Sequence, residues 1–153
     1  VNPPLRSEEH RAAVVEGLKD GTIDAIVTDH APHTWDEKDQ EFSLAPSGFV
    51  GLETSVGAVL THLYHTGTVD LMTIVRAMST APAGLLGLDA GVIVEGKDAD
   101  LTIIDLDKEW TVDASSFYSK GKSSPFDEMI FTGKAVATVV DGEFVMKDGV
   151  VLK

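Results

Sequence analysis

Asp29-His30-Ala31-Pro32-His33 is the densest group of chemically capable side chains in this sequence. It follows directly on Ile23-Asp24-Ala25-Ile26-Val27-Thr28, a short, mostly apolar run of the kind that forms a parallel strand buried on both faces. In barrels and open α/β sheets, active-site groups sit at the C-terminal ends of such strands. A carboxylate at Asp29 can there ligate a divalent metal and take a proton from water. The same residue after a strand also serves as an ordinary turn or capping residue. His62 and His65 form a second pair. Three apart on a helix they share a face, which suits metal ligation. The same spacing also describes two edge residues of an amphipathic helix, and no Glu stands between them as in the helical metalloprotease motif. Asn2-Pro3-Pro4-Leu5-Arg6 is a proline-set turn that either aims the Asn2 amide at a ligand or simply leads into a helix. Ser47-Gly48 offers backbone amides where glycine permits close approach.

The elements that must position these groups are partly legible. Ser7 is placed to cap a helix running to about Lys19, with Glu8 and Glu9 in its first turn and Ala12, Val15 and Leu18 on its apolar face. Asp20-Gly21 ends it, and residues 23–28 follow as one αβ step of an α/β protein. The polar stretch from Asp29 to Gly51 reads as a loop of about twenty residues without structure of its own, and such loops tend to be functional. Helices are expected over Leu52–Thr66 and Leu71–Ser79, with a further turn through Ala81-Pro82-Ala83-Gly84 to Leu88. From Gly91 the texture becomes β-rich: Val92–Val94, Ala99–Ile104 and Ala135–Val140. Asp141-Gly142 before Glu143–Met146 is a hairpin signal, and Lys120–Pro125 reads as a linker. The expected division is an α/β part over residues 1–90 and a β part over residues 91–153. Val1 opens without an initiator Met inside what reads as a structured loop, so a piece of a longer chain is expected.

Bulk properties exclude several classes. Twelve Lys and Arg stand against 25 Asp and Glu, a formal net charge of −13, which repels phosphate backbones and disfavours nucleic acid as a partner. A metal or a few local cations can still reverse that field inside a site. Cysteine is absent, which excludes disulfides and thiolate zinc sites and fits a reducing cytoplasm. No run of about eighteen apolar residues is present, so no membrane span is expected, and no secretory signal pattern is visible.

Taken together, the strings are far more specific than any one of them. Asn2-Pro-Pro-Leu-Arg6, Thr28-Asp29-His30-Ala-Pro-His33 and Pro46-Ser-Gly48-x-x-Gly51-Leu-Glu53-Thr54 resemble the late segments of the type I dihydroorotases. Glu95-Gly-Lys-Asp98-Ala-Asp100-Leu-Thr-Ile-Ile-Asp105 resembles a β-sandwich signature of the wider amidohydrolase superfamily. The resemblance implies the C-terminal portion of a (β/α)8 metal-dependent hydrolase barrel plus part of a small β-sandwich. It implies reversible hydrolysis of dihydroorotate to N-carbamoyl-aspartate, in pyrimidine biosynthesis, with one or two Zn2+ per complete site. By the same resemblance Asp29 is the metal ligand and the catalytic proton shuttle. Asn2 and His33 bind the substrate, and Ser47 and Gly48 contact its ring through the loop; His30 is structural. The family's remaining ligands, an earlier His-x-His, a bridging Lys or Asp and two further histidines, and its substrate-binding arginine have no counterpart here. The isolated chain is therefore expected to be inactive and to need the remainder of the same enzyme. A cytoplasmic homodimer, or association with an aspartate transcarbamoylase, is also implied. The alternatives are an allantoinase or hydantoinase, a non-catalytic dihydroorotase-like scaffold subunit, and a self-contained metal module built from Asp29, His33, His62 and His65.

Overall fold

The computed structural model describes residues 1–152 and shows a mixed α/β arrangement, in which helices pack against a small antiparallel sheet. Helix α1 spans Glu8–Asp20. Gly21 terminates it in the left-handed conformation (φ 84°), a helix end that glycine adopts without a Cβ penalty. Ser7 occupies the N-cap position in extended geometry, but its hydroxyl pairs with His10 Nδ1 at 2.7 Å rather than with a backbone amide. Leu18 is the buried residue of α1, and Val15 packs partly buried beside it.

Residues 23–28 form no strand. A strand exists only through its partners, and among the described residues none runs alongside. Ile23 N–H donates instead to Gly17 O (2.8 Å) and Ile26 N–H to Ala77 O (3.0 Å). Val27 is consequently 79% exposed. Among the described residues the only β-type contact nearby is an isolated parallel bridge between His30 and Phe49.

The long loop is not featureless either. Thr34 caps a short helix α2, Trp35–Lys38, through a reciprocal capping box with Glu37. Helix α3 (Ser55–Val59) widens into a π turn over Leu60–Tyr64. The widened turn presents Thr61 to a neighbouring strand: its hydroxyl accepts from Thr132 N–H (2.8 Å) and donates to Thr132 O (3.2 Å). Helix α4 (Leu71–Val75) passes through a second π turn, Arg76–Thr80, directly into α5 (Ala81–Leu85). Pro82 has no N–H for the preceding turn, and the wider turn falls just where that bond is missing. The expected break before Ala81 is thus one continuous helical rod.

Four strands, β1 (Leu101–Thr111), β2 (Ile130–Val140), β3 (Glu143–Lys147) and β4 (Val150–Val151), form an antiparallel meander in chain order. Asp141-Gly142 (φ 51° and 78°) turns β2 into β3, and Asp148-Gly149 (φ 53° and 81°) turns β3 into β4. Consecutive positive φ angles are what two-residue hairpins require. Among the described residues Val92–Val94 pairs with no strand, and the β part is a single four-stranded sheet.

Two cores hold the arrangement. Leu18, Val69, Ile74 and Ala77 join α1 to the helical rod. Val50, Val112, Ala114, Phe117 and Phe131 join the loop region to the sheet, with Ala58, Trp110 and Phe126 packed around them. Phe131 is fully buried, with the rings of Trp110, Phe126 and His62 at 5.7, 5.4 and 5.8 Å, all edge-on. Gly57 permits this approach of α3 to the sheet: a Cβ there would lie 2.8 Å from Phe131 and 2.9 Å from Trp110.

Candidate functional site

Three segments of the chain converge on His33. Residues 29–33 run beside residues 46–51, joined by Ala31 N–H donating to Phe49 O (3.0 Å) and Gly51 N–H donating to His30 Nδ1 (3.1 Å). Residues 117–124 close the other side. Val50 N–H donates to Ser123 O (3.0 Å), and the Glu53 carboxylate accepts from Tyr118 N–H (2.9 Å) and Ser119 N–H (3.0 Å). Val50, 2% exposed, is the apolar anchor that ties this region to the aromatic core.

Within this frame His33 is half-buried, its Nε2 lying 2.9 Å from Ser47 O. A carbonyl only accepts, so Nε2 carries the proton in that bond. The other ring nitrogen, Nδ1, lies 3.5 Å from Glu37 Oε2. Ser47 thus contributes its carbonyl to the cluster, while among the described residues its hydroxyl makes no hydrogen bond. Gly48 has φ +121°, and a Cβ there would lie 2.8 Å from Ala31 Cβ, 2.9 Å from Ala31 O and 3.2 Å from His33 Nε2. Lys38 reaches back from α2 to donate to Pro46 O (2.9 Å) and Gly48 O (3.0 Å). The Glu37 carboxyl is held below the usual carboxylate range, first by the Thr34 backbone N–H, then by the Thr34 hydroxyl, with the His33 ring adding to it.

Asp29 stands four residues before His33 in the same segment. It is exposed, in the left-handed region (φ 46°), and among the described residues its carboxylate has no hydrogen bond or ion pair. Asn2 lies in an exposed N-terminal arm and makes no hydrogen bond to His33, Ser47 or Asp29 among the described residues. The structure therefore brings His33, Ser47 and Gly48 together, while among the described residues Asp29 and Asn2 make no hydrogen bond to them. His30 is tied into the backbone by Gly51, as a structural residue would be.

The second histidine pair is accounted for by packing. His65 Nε2 meets Leu106 O at 2.8 Å, and His62 stands edge-on to Phe131. Among the described residues no three His, Cys, Asp or Glu side chains gather as a metal would require. A self-contained metal module from Asp29, His33, His62 and His65 is thereby set aside. Four residues of this frame are not among the candidates expected from sequence. Thr34 and Glu37 carry a readable capping-box signature and Glu53 lies within the Pro46–Thr54 string, but Lys38 carries no local signal because its acceptors are backbone carbonyls.

This geometry fixes the His33 imidazole against the Ser47–Gly48 turn, and among the described residues the Asp29 carboxylate, four positions earlier in the same segment, has no competing partner.

Comparison with known proteins gives consistent relationships. The model of the amidohydrolase family matches residues 2–145. A dihydroorotase of Bacillus subtilis is 47% identical over 153 residues, all of this chain and 36% of the relative. A dihydroorotase of Pelotomaculum thermopropionicum is 52% identical over 151 residues, 99% of this chain and 35% of that protein. The chain thus spans about a third of the length of the curated relatives it matches. Among solved structures, an L-hydantoinase (dihydropyrimidinase) from Arthrobacter aurescens superposes with a TM-score of 0.93 at 40% identity, over 100% of this chain and 35% of that one. A D-hydantoinase from a Thermus species superposes with a TM-score of 0.90 at 28% identity.

Proposed function

Because the chain belongs to the amidohydrolase family, we propose that the protein carrying it is a dihydroorotase, hydrolysing the ring amide of dihydroorotate to N-carbamoyl-aspartate and closing it again. The observation that carries this reading is the cluster of His33, Ser47 and Gly48, with Asp29 four positions before His33 and without a partner among the described residues, in a chain 47–52% identical to dihydroorotases.

Asp29 is the general base and then the general acid. Water adds to the ring carbonyl as Asp29 takes its proton; the carbon–nitrogen bond breaks as Asp29 returns that proton to the departing nitrogen. His33 and the Ser47–Gly48 backbone orient the ring, so that the scissile amide faces the carboxylate. Asn2, on its proline-set arm, contributes an amide to the same substrate once the arm is brought to the site. An oxygen ligand free of other partners suits one position of a zinc site, and Asp29 is that ligand here. Zinc typically takes about three protein ligands in a catalytic site, so the others come from outside these residues. When bound, zinc would polarise the carbonyl and acidify water. On this reading residues 23–28 are a barrel strand whose neighbours belong to the same longer protein, which accounts for the exposure of Val27.

The test is direct: the complete protein is supplied with dihydroorotate and carbamoyl aspartate is measured, with the reverse reaction at acidic pH as a check. Turnover of hydantoin or dihydropyrimidine rings without dihydroorotate would select the second reading, which the 40% identity to an L-hydantoinase favours.

A further inference from the structure

The geometry points to Glu37 as a positioning residue for His33, orienting the imidazole against the Ser47–Gly48 turn. This rests on the reading above, in which His33 contacts the substrate ring.

One carboxylate oxygen carries the argument. Glu37 Oε2 accepts from Thr34 N–H (2.9 Å) and from the Thr34 hydroxyl (3.0 Å), so the capping box fixes where it sits. That same oxygen lies 3.5 Å from His33 Nδ1, while Nε2 on the far side of the ring meets Ser47 O at 2.9 Å. The ring therefore has the Ser47 carbonyl hydrogen-bonded at one nitrogen and the anchored Glu37 carboxylate beside the other, one from the facing loop and one from its own segment. A group that orients a catalytic or binding imidazole through its other nitrogen is a recurring device. The adjacent Lys38 completes the clamp. It takes the carbonyls of Pro46 and Gly48 while His33 takes that of Ser47, so three consecutive carbonyls are engaged by side chains from residues 33–38. The four-residue helix α2, too short to be stable alone, acts as a bracket: its cap sets the histidine and its last residue sets the turn.

Glu37→Gln separates orientation from capping, because Gln at the third helical position still completes a capping box and only the charge is lost. In the complete protein with isotope-labelled histidine, we expect the His33 ring-nitrogen resonances to move in Glu37→Gln. Those of His30, held by Gly51, should stay in place. KM for dihydroorotate should rise about twofold to fivefold, the range a single weak side-chain contact is worth, with kcat nearly unchanged. In a His33→Ala background, Glu37→Gln should cost nothing further. Unmoved His33 resonances, or an undiminished effect of Glu37→Gln in the His33→Ala background, overturn the proposal. If His33→Ala leaves KM unchanged, His33 is no substrate contact and the functional reading fails there, while the resonances still decide whether Glu37 sets the ring.

Discussion

Replacing Gly48 by alanine tests whether the turn beside His33 is a positioning device or a passive loop. The backbone there has φ +121°, and a residue with a Cβ held in such a sparsely populated region costs roughly 1–3 kcal/mol. The added carbon would also stand 2.8 Å from Ala31 Cβ and 2.9 Å from Ala31 O, where carbon atoms prefer about 3.5–4.0 Å. Relief requires the turn to move by about 1 Å away from residues 31–33. That movement stretches both the His33–Ser47 bond and the Lys38–Gly48 bond. A misplacement of about 1 Å in a positioning group costs up to ~10²-fold in rate, or about 2.7 kcal/mol of transition-state stabilisation. The assay is kcat/KM for dihydroorotate in the complete protein, with urea denaturation alongside to separate the site from the fold. Ser47→Ala is the internal control, since Ser47 contributes its carbonyl and the substitution retains it. A Gly48→Ala enzyme within about threefold of wild type, a much smaller change than the worked magnitude, would refute the reasoning. So would a Ser47→Ala enzyme as impaired as Gly48→Ala.

Asp29→Asn in the complete protein should leave the fold intact, because the exposed carboxylate holds no other group among the described residues, while turnover falls by roughly 10²–10⁴-fold; full activity would remove Asp29 from the chemistry. Phe131→Ala should lose about 3–5 kcal/mol in denaturant unfolding, because the fully buried ring meets three others edge-on; a loss below about 1 kcal/mol would mean that the core collapses around the cavity. Asp70 caps α4 through Thr73 N–H (3.0 Å), which holds its carboxyl below the usual range, with the Thr73 hydroxyl adding to it. A depressed folded-state pKa stabilises above the ordinary carboxylate value of about 4, and that stabilisation is lost as pH falls through the folded value. Helical circular dichroism should therefore decline on the acid side of pH ~4, with a weaker pH dependence in Asp70→Asn; identical acid profiles would deny the cap its role.

What could be read from the residues alone is what neighbouring residues decide. Gly21 ends α1, Asp141-Gly142 turns β2 into β3, and the string from Asp29 to His33 announces chemistry, because caps, turns and motifs are short-range objects. The run over residues 23–28 has the composition of a buried strand, but strandhood belongs to a pair, and no partner runs beside it among the described residues. The same limit applies to Val92–Val94. The helix expected to end at Ser79 runs on, because the π turn before Pro82 absorbs the missing hydrogen bond. His62 and His65 had ligand spacing, and only packing shows that one faces Phe131 and the other Leu106 O. The site divides in the same way. The side chains of Asp29 and His33 stand out as types, whereas Ser47 acts through its carbonyl and Lys38 through two more. Every residue carries a carbonyl, so nothing in the order of residues marks which ones a lysine eight and ten positions away will hold. The tertiary structure alone decides that, by folding α2 back over the turn it clamps.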